Sequence, residues 1–158
     1  LLLAFLRDHN TARSVLDVFN DLYAMFGRET YCRLFPVILT DRGSEFSNPV
    51  PIEQDENDEL RSLVFYCNPS VPYQKGGIEV AHELVRRVLP KGKSFDDLQQ
   101  EDIDLMLSHI NSYKRGKLNS RSAYQLFNFI YGYDILPKLN IREIEANDIV
   151  LSPKLLKK

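Results

Sequence analysis

Residues 37–46, VILTDRGSEF, place two carboxylates around a glycine turn directly after a short apolar run. The run FPVILT has the length and apolar character of a buried β-strand that ends at Asp41. Ligands of open α/β sheets gather beyond the ends of such strands. Asp41 is therefore the first candidate functional residue. We interpret Glu45, four residues later, as a surface residue that hydrogen-bonds the turn, with a supporting role beside Asp41 as the alternative.

The sequence around this stretch predicts an α/β domain. The apolar runs LLLAFL and LVFYC have the character of two more buried strands. Helical periodicity and capping residues predict helices from Asn10 or Thr11 to a stop at Gly27, over about 78–89, after a cap at Ser94 with Asp97, and over 122–131 before Gly132. Residues 47–62, rich in proline and acids, indicate an exposed loop. Strands separated by helices indicate a layered α/β fold.

Size and charge limit the function classes. The chain has 158 residues with 44% hydrophobic content, which fits one domain with its own core. The formal charge of -2 excludes a uniformly basic protein that coats nucleic acid. Any contact with nucleic acid must therefore come from local basic patches.

Other features favour a soluble cytoplasmic protein. Cys32 and Cys67 form no CxxC pair and no secreted disulfide framework. The opening run LLLAFL is too short for a membrane span and lacks the flanks of a signal peptide. Because the chain begins with Leu1 in what resembles the middle of a strand, we interpret it as a piece of a longer protein.

The second predicted helix, over about 78–89, carries the second candidate, Glu79. A helical wheel gives one apolar face and one charged face. The apolar face holds Val80, Ala81, Leu84, Val85 and Val88; the charged face holds Glu79, His82, Glu83, Arg86 and Arg87. Glu79 follows Gly76 and Gly77, which allow the chain to turn close to another element. Without this context, a glutamate on a charged helix face is better explained as a solvated surface residue.

Asp41 and Glu79 together predict a metal site if the fold brings them close. Neighbouring carboxylates repel each other unless a cation lies between them. Mg²⁺ or Mn²⁺ prefers oxygen ligands, and two such ions roughly 3.5–4 Å apart suit phosphoryl transfer. The three histidines have no pairing with cysteine that would suit zinc, and neither GxxxxGK[ST] nor GxSxG occurs.

Three motifs resemble a known family. TDRGSEFSNP, PYQKGGIEVAHELVRRVLPKG and INSYKRGKLNSRSAYQLF resemble, in this order, the catalytic core of DDE-type bacterial insertion-sequence transposases of the IS-thirty family, within the retroviral integrase superfamily. The resemblance implies a ribonuclease-H-like three-layer fold. It also implies an Asp, Asp, Glu triad that holds two Mg²⁺ ions, cuts DNA at transposon ends and joins the 3′-hydroxyl to target DNA.

The resemblance assigns Asp41 and Glu79 as catalytic residues and metal ligands. The first family aspartate would lie upstream of Leu1, so we expect a fold truncated at its N-terminal strands and a chain that is catalytically silent alone. Asp8 and Asp17 are the nearest substitutes and fit poorly. Arg42 stands where the family usually has asparagine.

DNA contacts are expected from a triplet before the glutamate helix and from two clusters without acids. The triplet Tyr73, Gln74 and Lys75 resembles the family's aromatic, amide and basic residues. The clusters comprise Arg86, Arg87, Lys91 and Lys93, and Lys114, Arg115, Lys117 and Arg121, with Tyr113 as an aromatic neighbour. Such clusters can follow a phosphate backbone, although any single lysine is as well explained by solvation. The acidic tract EQDENDE should lie away from DNA.

Three functions stay open from the sequence. The first is a transposase core acting on transposon ends and target DNA in the bacterial cytoplasm. The second is an inactive remnant that keeps the fold and weak DNA binding. The third is a ribonuclease-H-like nuclease with another substrate. A homo-oligomer is compatible with the sequence, which leaves the oligomeric state open.

Overall fold

In a computed structural model of the chain, the structure describes residues 1–68, 76–92 and 94–156. The chain divides into two compact units, Arg7–Gln74 and Leu1–Leu6 with Lys75–Lys158. The described elements are α1 (Ala12–Leu34), β1 (Val37–Thr40), α2 (Val50–Glu53), β2 (Leu63–Tyr66), α3 (Gly76–Val88), α4 (Gln100–Ser112), β3 (Lys114–Arg115), β4 (Arg121–Ser122) and α5 (Ala123–Tyr131), with short 3₁₀ helices. The ribonuclease-H-like fold and the single-domain assignment stay predictions.

A parallel two-stranded sheet positions Asp41. β1 and β2 pair in parallel with Val37 opposite Leu63 and Thr40 opposite Tyr66, which confirms that both segments are strands. The prediction that these strands are buried was wrong, because the side chains of Val37, Leu39 and Phe65 are 54%, 48% and 53% exposed. Thr40 is 5% exposed, and its carbonyl accepts the Cys67 N–H at 2.7 Å. The sheet therefore fixes the backbone immediately before Asp41.

Helix α1 begins as predicted but extends further. The Thr11 hydroxyl accepts the Ser14 N–H at 3.1 Å and forms the start of the helix. Gly27 has φ 72° and ψ 163°, which is not helical, so the first helical segment ends at the predicted residue. A second helical segment follows directly and continues to Leu34, and it buries Tyr31 completely, at 0% exposure.

The segment 47–62 is not entirely an exposed loop. Its first part forms α2, in which Ile52 is 2% exposed, whereas Glu56 and Asp58 are exposed as predicted. Pro51 fixes a helical φ in the first turn of α2, and Ile52 supplies the apolar contact that holds the turn against the core.

The predicted first strand, LLLAFL, is not a strand in the structure. Its backbone bonds to side chains of α4 instead. Asn111 accepts the Leu2 N–H and donates to the Leu2 carbonyl, both at 2.8 Å, and Gln100 accepts the Leu6 N–H at 2.9 Å. These amide side chains satisfy one edge of the extended segment as a neighbouring strand would.

Helices α4 and α5 form the core of the second unit. α4 buries an apolar stripe, in which Met106 is 1% and Ile110 0% exposed. The predicted start at Ser94 was wrong: Ser94 bonds Asp96, while the Asp102 carboxylate accepts the Gln99 N–H at the true start. α5 agrees with its prediction, with a capping box at Ser122 and an end at Gly132.

Within the described ranges, no helix combines the length and the apolar character needed to cross a membrane. Cys32 and Cys67 are both free thiols.

Candidate active site

Asp41 lies in a tight turn after β1. Its Oδ1 accepts the Gly43 N–H at 3.1 Å, so the turn itself orients the carboxylate. The turn continues into a 3₁₀ helix at Ser44–Phe46, and the Phe46 carbonyl accepts the Tyr66 hydroxyl of β2. Asp41 is exposed to solvent. The sequence thus places an oriented carboxylate at the carboxyl end of a parallel strand, where ligands of α/β sheets bind.

Glu45 contributes a second carboxylate to the same turn. A Cβ built on Gly43 would lie 2.6 Å from Glu45 Oε2, so the Glu45 carboxylate lies directly against this glycine. The hydrogen bond we expected from Glu45 to the turn is not found among the described residues. The half-buried Glu45 instead packs against the backbone that holds Asp41.

Glu79 lies in the first turn of α3, on its solvent side. Leu84 and Val88 of the opposite face are 3% and 1% exposed, which confirms the predicted amphipathic helix. Burial of this apolar face fixes the rotation of α3 about its axis. Glu79 is thereby directed away from the core of its own unit.

Asp41 and Glu79 belong to different compact units, and their meeting in space stays a prediction. Both are exposed carboxylates, and their oxygens are the donor type that Mg²⁺ and Mn²⁺ prefer. Among residues 1–68, 76–92 and 94–156, no group of three or more histidine, cysteine, aspartate or glutamate side chains is arranged to hold a metal ion. The carboxylate oxygens of Asp41 and Glu79 are therefore suitable ligands for Mg²⁺ or Mn²⁺. Two carboxylates are one fewer than the expected triad contains.

The first basic cluster lies at the end of α3 and beyond it. Arg86, Arg87 and Lys91 are exposed. Arg87 forms an ion pair with Glu83 at 2.5 Å, and Glu83, followed by Tyr113, raises the pKa of Arg87. Arg87 is thus partly engaged within its own helix, which leaves Arg86 and Lys91 as the better candidates for phosphate contact.

The second basic cluster forms a β-hairpin that the sequence reasoning did not predict. Arg115 of β3 lies directly opposite Arg121 of β4, and Lys114 and Lys117 are exposed beside them. Arg115 Nε is buried without a hydrogen-bond partner in the described part of the chain, and burial lowers the pKa of Arg115. Like charges opposite each other destabilise a strand pair, so this hairpin favours an anion nearby.

The turn residues could have revealed this hairpin. Asn119 and Ser120 both have positive φ, at 52° and 60°, between the two short strands. Asparagine is among the residues that tolerate this conformation. The predicted contacts Tyr73, Gln74, Lys75 and Lys93 lie outside the described residues.

The chain is similar to three curated protein sequences over part of their length. It is 30% identical over 120 residues to the candidate integrase ORF3 of Spiroplasma virus SpV1-R8A2 B, which covers 76% of the chain and 35% of the relative. It is 35% identical over 63 residues to the transposase of IS1086 from Cupriavidus metallidurans, covering 40% of the chain and 19% of the relative. It is 27% identical over 94 residues to the transposase of IS4351 from Bacteroides fragilis, covering 60% and 28%.

No family model and no solved structure matches the chain. The chain spans between 19% and 35% of the length of these curated relatives. Its similarity to transposases and to a candidate integrase supports a place in the transposase and integrase family, while the IS-thirty family and the DDE triad stay predictions.

Proposed function

We propose that the chain is part of the catalytic core of a DNA transposase or integrase, and that it supplies the second aspartate and the glutamate of a DDE triad. The similarity to the ORF3 integrase candidate over 76% of the chain carries this proposal. The position of Asp41 after a parallel strand supports it, since that is where a ligand-binding carboxylate is expected. A ribonuclease-H-like fold is the architecture we propose for the complete core.

Asp41 and Glu79 would hold divalent metal together with the third carboxylate of the triad. Mg²⁺ in such a site activates the attacking oxygen and stabilises the charge that develops on the phosphate. The chain's own contribution is orientation. The Gly43 N–H fixes the Asp41 carboxylate at 3.1 Å, and the buried face of α3 directs Glu79 outward.

The β3–β4 hairpin would bind the DNA backbone. Arg115 and Arg121 face each other across the hairpin without a carboxylate in the sequence 113–122. A phosphate placed between them would relieve their repulsion. Lys114 and Lys117 extend the same positive surface.

A strand-joining assay tests the function. Labelled DNA ends and a target plasmid are incubated with Mg²⁺ and with either the 158-residue chain or the whole protein that its coding sequence specifies. We expect no product from the chain alone and joined product from the whole protein. Asp41→Asn, Glu79→Gln or removal of the metal with EDTA should each reduce joining by about 100-fold or more.

The other candidate functions give different results in this assay. Cleavage without joining would identify a nuclease with another substrate. Binding of DNA without cleavage or joining by the whole protein would identify an inactive remnant. Either result would contradict the proposed function.

A further inference from the structure

Residue 43 is a glycine because there is no space for a side chain at this position, and not because its backbone conformation excludes other residues. Its φ of -61° and ψ of 152° are accessible to any residue. A Cβ at this position would nevertheless lie 2.6, 2.7 and 2.9 Å from Oε2, Cδ and Oε1 of Glu45. The Glu45 carboxylate therefore occupies the volume that a side chain at residue 43 would fill.

Gly43 also links Glu45 to the candidate catalytic residue. Its N–H donates to Asp41 Oδ1 at 3.1 Å, and its carbonyl accepts the Phe46 N–H at 3.0 Å. The residue that orients Asp41 is thus held between its own hydrogen bonds and the Glu45 carboxylate. If the Glu45 side chain moved away, Gly43 would lose the contact that holds it on one side.

Packing rather than a polar contact holds Glu45 at this position. Its carboxylate has no hydrogen bond or ion pair among the described residues, although Glu45 is half-buried and lies against Gly43.

We propose that Glu45 is a positioning residue for Asp41. Its side chain packs against Gly43 and thereby holds the N–H that fixes the Asp41 carboxylate. The link to metal binding and catalysis rests on the proposed function; the mechanical link from Glu45 to Gly43 and Asp41 does not. Supporting contacts of this kind keep a ligand carboxylate in its binding geometry.

Four variants separate this role from general stability. Glu45→Ala removes the packing, and Gly43→Ala displaces the carboxylate without changing residue 45. Glu45 lines a groove of about 390 Å³ with Arg13, Asp17 and Asn48, so the displaced side chain has room to move. Glu45→Gln keeps the shape of the side chain. Asp17→Asn changes a carboxylate of the same groove that does not contact Gly43 and serves as the matched control.

The readout is the exchange rate of the residue 43 amide proton with water, measured by NMR and corrected for the intrinsic rate of each residue type. Glu45→Ala and Gly43→Ala should each accelerate exchange about fivefold, the factor expected for weakening one hydrogen bond. In the double variant, the residue 43 amide should exchange no faster than in either single variant, because both changes remove the same contact. Glu45→Gln and Asp17→Asn should stay near the wild-type rate.

Two results would overturn the proposal. One is an unchanged residue 43 rate in Glu45→Ala. The other is acceleration that extends equally to the amides of β1 and β2, which would indicate loss of stability throughout the unit.

Titration of the same samples with Mn²⁺ keeps the two proposals distinguishable. If wild-type Asp41 and Gly43 signals do not broaden, the metal site is wrong, while the exchange rates still decide the role of Glu45. If they broaden equally in wild type and Glu45→Ala and exchange is unchanged, the metal site stands and the positioning role fails.

Discussion

Arg61 is a buried cation in the unit Arg7–Gln74. It is 4% exposed, and its guanidinium lies over the rings of Tyr23 and Tyr31, 5.1 and 5.6 Å from their centroids. Cation–π contacts of this kind are strongest when water is excluded. This role was not predictable from the sequence, because Arg61 follows an acidic tract that indicates an exposed loop.

The hydrogen bonds of Arg61 explain how this charge is tolerated. Nε donates to the Ile52 carbonyl at 3.0 Å, and Nη2 donates to Asn20 Oδ1 and the Pro51 carbonyl, both at 2.8 Å. The planar guanidinium reaches all three acceptors at once, which an ammonium group cannot do in the same geometry.

Arg61→Lys should therefore destabilise the protein despite conserving the charge. We expect the free energy of unfolding to fall by about 2–3 kcal/mol, because carbonyls of α2 lose their donors. The exposed Arg13→Lys should change it by less than about 0.5 kcal/mol. Urea denaturation followed by circular dichroism measures both. Equal stabilities of the two variants would contradict the structural role of Arg61.

At the residue level, the candidate site was predictable where local chemistry determines position. Asp41 follows a strand whose apolar run is visible in the sequence, and Glu79 lies on the charged face of a periodic helix. The packing of Glu45 on Gly43 was not predictable, because it depends on the direction of a side chain four atoms long in a turn without periodicity.

The β3–β4 hairpin carries four basic residues and no acidic one, namely Lys114, Arg115, Lys117 and Arg121. Arg121→Thr removes one member of the Arg115–Arg121 pair and introduces a residue that favours strands. The free energy of unfolding should rise by a few tenths of a kcal/mol, about the cost of a like-charge cross-strand pair.

The same variant should weaken DNA binding. The slope of log affinity against log salt should decrease in magnitude by about 0.9, as expected for the loss of one phosphate contact. Lys138→Thr, on an exposed 3₁₀ helix, is the control and should leave the slope unchanged. Fluorescence anisotropy with duplex DNA at several salt concentrations measures the slope. An unchanged slope in Arg121→Thr would show that the hairpin does not contact the DNA backbone.

A hydrogen bond to His109 of α4 holds the segment around Val150 against this helix. His109 is 7% exposed, and its Nδ1 accepts the Val150 N–H at 3.1 Å. Burial, followed by the Arg142 cation, lowers the pKa of His109, while Asp148 acts in the opposite direction. Only the form without a proton on Nδ1 can accept this hydrogen bond.

Acidification should loosen this segment. Because the folded pKa of His109 lies below its ordinary value of about 6.5, the stabilisation is complete above that pH and is lost as the pH falls through the folded value. Hydrogen exchange at Val150, corrected for intrinsic rates, should show less protection at about pH 5 than at about pH 7.5.

Two variants check the assignment to His109. His109→Gln should remove the pH dependence at Val150, whereas His82→Gln, on the exposed face of α3, should retain it. Wild-type protection that is the same at both pH values would contradict the role of His109.

At the element level, prediction succeeded where a helix or strand is determined locally. The cap at Ser122 and the end at Gly132 define α5 from neighbouring residues alone. The prediction of a strand at LLLAFL failed because strand formation depends on a partner strand that is distant in sequence. Its backbone instead bonds Asn111 and Gln100 of α4, which no local pattern could indicate.

For the whole molecule, the sequence motifs predicted a transposase or integrase, and the similarity to two transposases and an integrase candidate supports that family. The structure places Asp41 in a turn after β1 and Glu79 on α3. The hydrophobic patterns predicted strands and helices but not the division into Arg7–Gln74 and Leu1–Leu6 with Lys75–Lys158. That division depends on which apolar faces pack together, and periodicity only states that each element has such a face.

The central claim is that Asp41 and Glu79 share a divalent cation. The most direct test is Mn²⁺ titration of the 158-residue chain, monitored by paramagnetic broadening of the Gly43 and Val80 amide signals. Both signals should broaden with the same midpoint, and Glu79→Gln should shift the Gly43 midpoint about tenfold or more to higher Mn²⁺. A Gly43 midpoint that is unchanged by Glu79→Gln would show that the two carboxylates do not hold the same ion.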